Sequence, residues 1–161
     1  YLLVETSEIT PFALQKLLYF AQGFKRAFTG EFMFEEECEA WIHGPVYRDV
    51  YKKLKAYGSE PMKEDEISLD GINLTEEEKE LLDHIALYFG CYSGQILENM
   101  THIEEPWRNT RKGLESWEKT DRVIEKKEIE YYFLNVKEKY TMLNFTDIKD
   151  YSEDLFRKIY V

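Results

Sequence analysis

The chain has 161 residues, 43% hydrophobic and 33% charged, with two cysteines and a formal net charge of −11. That is enough chain to bury one core without disulfides or metals, and the acidic balance opposes nucleic-acid binding by the chain itself, because phosphate affinity comes mainly from Lys and Arg. No apolar run approaches the roughly 20 residues of a membrane span, and no basic start followed by an apolar stretch marks a signal peptide.

The same balance suits a basic protein partner. Aromatics make up 16% of the chain, including 12 tyrosines, a residue that buries its ring while its hydroxyl stays wet. Cys38 and Cys91 read as free thiols, which places the protein in a reducing cytoplasm. The chain opens on Tyr1 rather than Met, so a piece of a longer protein is expected.

In chain order, the first clear helix opens at Thr10 as N-cap with Pro11 in the first turn, and Ile9 is placed to staple onto Leu14. Ala13, Leu14, Leu17, Leu18, Ala21, Phe24 and Phe28 recur mostly at steps of three and four, and Gly30 stops the helix. Nearly all of it reads as core. "EFMFEEECEAWI" follows, with an acidic turn and a roughly alternating "CEAWI", which predicts a small β-hairpin or extended arm. A second helix, about Pro45–Tyr57, is expected to start at the Gly-Pro pair and end before Gly58.

Residues 59–74 form a polar connector, with Ile67, Leu69, Ile72 and Leu74 spaced for brief pairing. "TEEE" then opens a third helix. Thr75 caps, Glu78 closes a capping box, and Leu81, Leu82, Ile85, Tyr88 and Phe89 form its stripe as far as Gly90. Ser93 caps a short fourth helix through "QILENM", and Pro106 begins another helical turn. A helix over "KKEIEYYFLNVKEKY" turns Ile129, Tyr132, Phe133, Val136 and Tyr140 inward. Thr146 with Asp147 opens the last helix, on which Ile148, Tyr151, Leu155 and Ile159 share a face. The fold class is mainly α: a compact multi-helix domain with a small β-hairpin or extended arm.

Chemistry is sparse. The three histidines, His43, His84 and His102, have neither zinc-type spacing nor a nearby cysteine pair, so no metal and no cofactor are expected. No nucleophile elbow or Gly-rich phosphate loop is present. The carboxylates fall on solvated helix starts and loops. An enzyme is not expected, although His43 and His102 would be the residues to test for one.

The turn "WIHGPV" combines a Gly free of the usual dihedral limits with a Pro that fixes its own φ. It reads as a corner carrying the chain from the arm into the second helix, with Trp41 and Val46 packing beside it. His43 is the one residue that such a corner does not require.

Three blocks in order, "LQKLLYFAQGF" (14–24), "EAWIHGPVYRDVYKKLKAYG" (39–58) and "LENMTHIEEPW" (97–107), resemble the signature blocks of the Panacea domain, the SocA-like antitoxin family also associated with the phage protein GepA. "TG" and the acidic "FEEE" fall between the first two, and "IEKKEIEYYF" is similar to the family's closing segment. The resemblance runs from about Ile9 to Phe133. It implies one domain over 1–161, with a core at 9–133 and a C-terminal helical extension at 134–161. That tail resembles an extension of members that carry an upstream helix-turn-helix domain.

The resemblance further implies the antitoxin half of a bacterial or prophage toxin–antitoxin system, neutralising a cognate toxin by direct protein–protein binding. Occlusion and delivery to a protease both remain open. Matching positions include Gln15, Lys16, Leu17 and Tyr19, then Trp41, His43, Gly44, Pro45, Val46 and Tyr51, then Thr101, His102, Pro106 and Trp107. Trp41, Gly44, Pro45 and Trp107 read as structural. Lys16, His43, Thr101 and His102 are the candidate polar patch for a partner, with His43 and the Thr101–His102 loop expected to meet beside the first helix. A homo-oligomer is allowed, and a small-molecule ligand is not expected. The alternative is the sensor or dimerisation domain of a DNA-binding transcriptional regulator.

Overall fold

The computed structural model describes residues 1–63 and 68–160. Its helices are α1 (Leu2–Glu5), α2 (Pro11–Thr29), α3 (Arg48–Leu54), α4 (Glu76–Phe89), α5 (Gly94–His102), α6 (Glu105–Thr110), α7 (Lys126–Lys139) and α8 (Ile148–Ile159). Strands β1 (Cys38–Trp41), β2 (Gly44–Tyr47) and β3 (Val123–Ile124) form one antiparallel sheet in the order β2-β1-β3. The mainly α class with a small hairpin is therefore what the chain adopts.

The expected caps on three helices are present. The Thr10 hydroxyl accepts from the Ala13 amide, and Gly30 closes α2 at φ 79°. Thr75 and Glu78 form both halves of the capping box on α4, and Ser93 caps α5.

The central element is α2, buried along most of its length and packed against α4, α5, α7 and β2. Its Phe20 stacks on Phe89 of α4 at 4.1 Å between centroids, and its Phe24 meets Phe133 of α7 edge-on at 4.9 Å. Gly23 permits that second contact, since a Cβ there would lie 2.2 Å from the Phe133 ring. α8 packs against α4 and α5, so a single buried cluster holds side chains from Leu2 through Leu155.

Several expectations are corrected. The Gly-Pro pair opens a strand, not a helix: Gly44–Tyr47 is β2, α3 begins only at Arg48, and Lys55–Tyr57 is a 3₁₀ turn. A proline at the start of an edge strand removes no ladder bond that the sheet needs, and Pro45 faces Ala40 in the register. The arm's partner strand therefore lies after the turn, while "EFMF" stays irregular. The third strand, between α6 and α7, is only two residues long, below the reach of periodicity. At the last helix, Asn144 rather than Thr146 supplies the cap, and the 3₁₀ turn Phe145–Asp147 leads into α8. In the 59–74 connector, Leu69 and Ile72 are exposed, while Ile67 lies outside the described residues.

Among the described residues no helix is long and apolar enough to cross a membrane.

Candidate functional site

The site is built around the hairpin tip. Trp41 pairs with Gly44, leaving Ile42 and His43 as a two-residue loop. Gly44 takes φ 110°, a region that side chains avoid. The tip lies on α2 and α5 at close range: a Cβ on Gly44 would stand 2.9 Å from both Lys16 Cε and Thr101 Oγ1. Thr101 and His102, expected on a loop, are instead the last two residues of α5, and the hairpin tip with His43 meets them beside α2.

Glu98 joins these groups. Its Oε1 lies 2.8 Å from His43 Nδ1 and 3.8 Å from His102 Nε2, and its backbone carbonyl accepts from the Thr101 hydroxyl at 2.9 Å. Positions 98, 101 and 102 share one face of α5; sequence reading took Glu98 for a solvated carboxylate, and this spacing is the signal that could have placed it in the patch. The four candidates divide by exposure. The His43 side chain is 70% exposed, whereas Lys16 and Thr101 are both fully buried.

Lys16 donates to the Pro45 carbonyl at 3.4 Å, and its ammonium lies 4.3 Å from the centroid of the Phe12 ring. Burial pushes its pKa down to about 7, against the pull of the Glu98 charge. Burial also lowers the pKa of His102, with Glu98 again opposing. The His102 ring stacks on Trp107 at 3.9 Å. Trp107 in turn donates its indole N–H to the Trp41 carbonyl at 2.8 Å, which fixes the tip from the α6 side.

The hairpin is fastened to α2 by a side-chain amide. Gln15 accepts from the Tyr47 N–H at 2.8 Å and donates to the Tyr47 carbonyl at 3.2 Å, satisfying both backbone groups where the edge strand would otherwise leave them orphaned. From the other side, Arg111 donates to the Ala40 carbonyl of β1 at 2.9 Å. Arg48 clasps Glu39 through two N–H groups, at 2.8 and 2.5 Å, and thereby holds the Glu39 carboxyl below its usual range.

Beside this rigid tip lies an open cleft of about 840 Å³. One wall is the start of α2, with Phe12 and Lys16. A second is the hairpin with Trp41 and His43, continuing into Arg48, Tyr51 and Lys55. Lys119, Thr120 and Asp121, from the loop before β3, close the third side. Trp41 and Tyr51 meet edge-on at 4.9 Å. Phe12, Arg48 and the 119–121 loop carried no signal in sequence, because the topology alone brings them to the hairpin.

A second polar cluster is internal. Glu104 is 1% exposed and accepts from the Tyr151 hydroxyl; that hydroxyl lies 2.6 Å from the Tyr132 hydroxyl. Burial raises the Glu104 carboxyl to about 8, partly offset by the tyrosine hydroxyls around it. It ties α7 and α8 to the start of α6 and is closed to partners. Among the described residues no group of three or more His, Cys, Asp or Glu side chains is placed to hold a metal; Cys38 is buried and Cys91 exposed, both as free thiols.

The family model described as the SocA-like antitoxin, Panacea domain matches residues 14–108. No curated protein and no solved structure matches the chain. The matched stretch runs from the first turn of α2 to α6 and carries the hairpin, Glu98 and most of the cleft.

Proposed function

The chain belongs to the SocA-like antitoxin, Panacea-domain family, and from that premise we propose that it neutralises a toxin by direct protein–protein contact, as a binding module without catalysis of its own. The observation that carries this reading is the coincidence of the family match with the cleft. Residues 14–108 supply the hairpin tip, the wall that continues it and, through Gln15 and Lys16, part of the wall at the start of α2. An aromatic-walled concavity on a rigid frame is the kind of surface that holds binding hot spots.

The candidate contacts are His43 at the tip and the exposed parts of Trp41 and Tyr51 in the cleft. Lys16, Thr101 and His102 support these contacts from beneath: they are buried or half-buried and set the position of the tip. Gly44, Pro45 and Trp107 fix its shape. A cytoplasmic location and a soluble toxin as partner fit this role.

The test is co-expression with the product of the adjacent gene. Restored growth against a toxic product is the expected result. Unrelieved toxicity with the antitoxin soluble and abundant would count against the reading.

A further inference from the structure

We infer that the cleft takes an acidic segment of a partner protein with an aromatic anchor. The anchor is seated among Phe12, Trp41 and Tyr51, and the flanking carboxylates meet Lys55 and Lys119. The identity of that partner as a toxin rests on the antitoxin reading above; the chemistry of the cleft does not.

The first argument is charge. The chain as a whole carries −11, yet the ionic side chains lining the cleft are Lys16, Arg48, Lys55 and Lys119 against Asp121 alone. Two of the cations are already engaged: Lys16 is buried beneath the tip, and Arg48 is committed to Glu39. Lys55 and Lys119 are exposed, and neither has an ion-pair partner among the described residues. An acidic segment is repelled by most of this surface and attracted here, which selects the site as well as strengthening it.

The second argument is shape. Tyr51 is 44% exposed, and it stands edge-on to Trp41 in a cleft that Phe12 also lines. Aromatic contacts at the centre and charges at the rim are the anatomy of a protein interface. A small anion would want convergent donors on the floor, but the floor cation, Lys16, has no accessible surface and turns its ammonium to Pro45. The cations within reach are long lysines on two different walls, suited to the carboxylates of a chain segment.

Two measurements on the full chain test this. The first is an NMR titration with a synthetic peptide holding one tryptophan between glutamates, and with a twin carrying lysines in their place. The acidic peptide is expected to shift amide signals around Phe12, Ile42, Lys55 and Thr120, and the basic twin to leave them alone. Shifts absent with the acidic peptide, or equal with both, overturn the assignment whatever the toxin does.

The second measurement is toxin affinity for Lys55→Glu/Lys119→Glu and for Lys127→Glu/Lys139→Glu, the latter pair lying on α7 outside the cleft. The cleft pair is expected to weaken binding roughly tenfold, most strongly at low salt, and the α7 pair to leave it unchanged. Equal affinities, with both variants folded as judged by melting, overturn the proposal. If the peptide binds in the cleft while wild-type chain fails to bind or neutralise the toxin, the antitoxin reading falls and the assignment of the cleft stands.

Discussion

Gly44 stands directly over Lys16: a Cβ added to it would lie 2.9 Å from Lys16 Cε and 3.3 Å from Lys16 Nζ. The hairpin tip and the central helix are therefore joined with no room for a side chain between them, and Thr101 fills the third side at the same distance. The positive φ and the close approach make the same demand on this position.

Replacing Gly44 should accordingly be costly on two counts. Gly44→Ala combines backbone strain with overpacking and is expected to destabilise by about 2–4 kcal/mol. Urea unfolding measures it, and Gly58→Ala is the comparison: that glycine has a positive φ but open space around it. A Gly44→Ala cost no larger than the Gly58→Ala cost would show that the close contact contributes nothing.

The buried carboxyl of Glu104 predicts a pH dependence. Its folded value, about 8, lies above the ordinary 4.5. Between those values the folded protein holds a proton that the unfolded chain has released, so this group's contribution falls as pH rises through that window. Glu104→Gln keeps a neutral side chain of similar shape. It should reduce the loss of stability between about pH 5 and pH 8 by at least ~1 kcal/mol, read as melting temperature against pH. Parallel curves for the two proteins would contradict it.

Lys16 predicts the opposite slope higher up. Its folded value is about 7 against an ordinary 10.5. Below pH 7 both states carry the charge and the burial cost is constant. From there to 10.5 the unfolded chain binds the extra proton, and stability rises with pH. Lys16→Met removes the charge while keeping a long flexible chain, and should abolish that rise without unfolding the protein at neutral pH.

His43 is expected to matter little to the fold. Its contact with Glu98 is at the surface on the histidine side, and exposed polar pairs of that kind contribute about 0–1 kcal/mol. His43→Ala should therefore stay within about 1 kcal/mol of wild type in unfolding experiments. A larger loss would make the residue a structural pin and remove it from the contact candidates.

How far the sequence revealed this molecule depended on the range of the forces involved. Caps act within one turn, and Thr10, Thr75, Glu78 and Ser93 were all legible for that reason. The stripes of α2, α4 and α7 were legible because buried periodicity repeats over several turns. Pro45 was misleading because its fixed φ serves a helix start and an edge strand equally well, and only the pairing of Ala40 with Pro45 decides between them. β3 exists because β1 has an open edge, not because Val123 and Ile124 announce a strand.

The site follows the same rule. Lys16, His43, Thr101 and His102 were visible as polar exceptions within otherwise structural blocks. Glu98 and Glu104 looked like ordinary solvated carboxylates, and their burial depends on contacts 55 and 47 residues away along the chain. The third wall of the cleft, at Lys119–Asp121, had no local mark at all.

The most direct test of neutralisation by contact is size-exclusion chromatography of the purified chain with the purified product of its neighbouring gene, run beside the growth assay. A stable complex that elutes as one species and loses toxicity in proportion to the bound fraction is the predicted result. Growth rescue with the two proteins eluting separately at every ratio would contradict it, because protection would then operate without the contact on which this account depends.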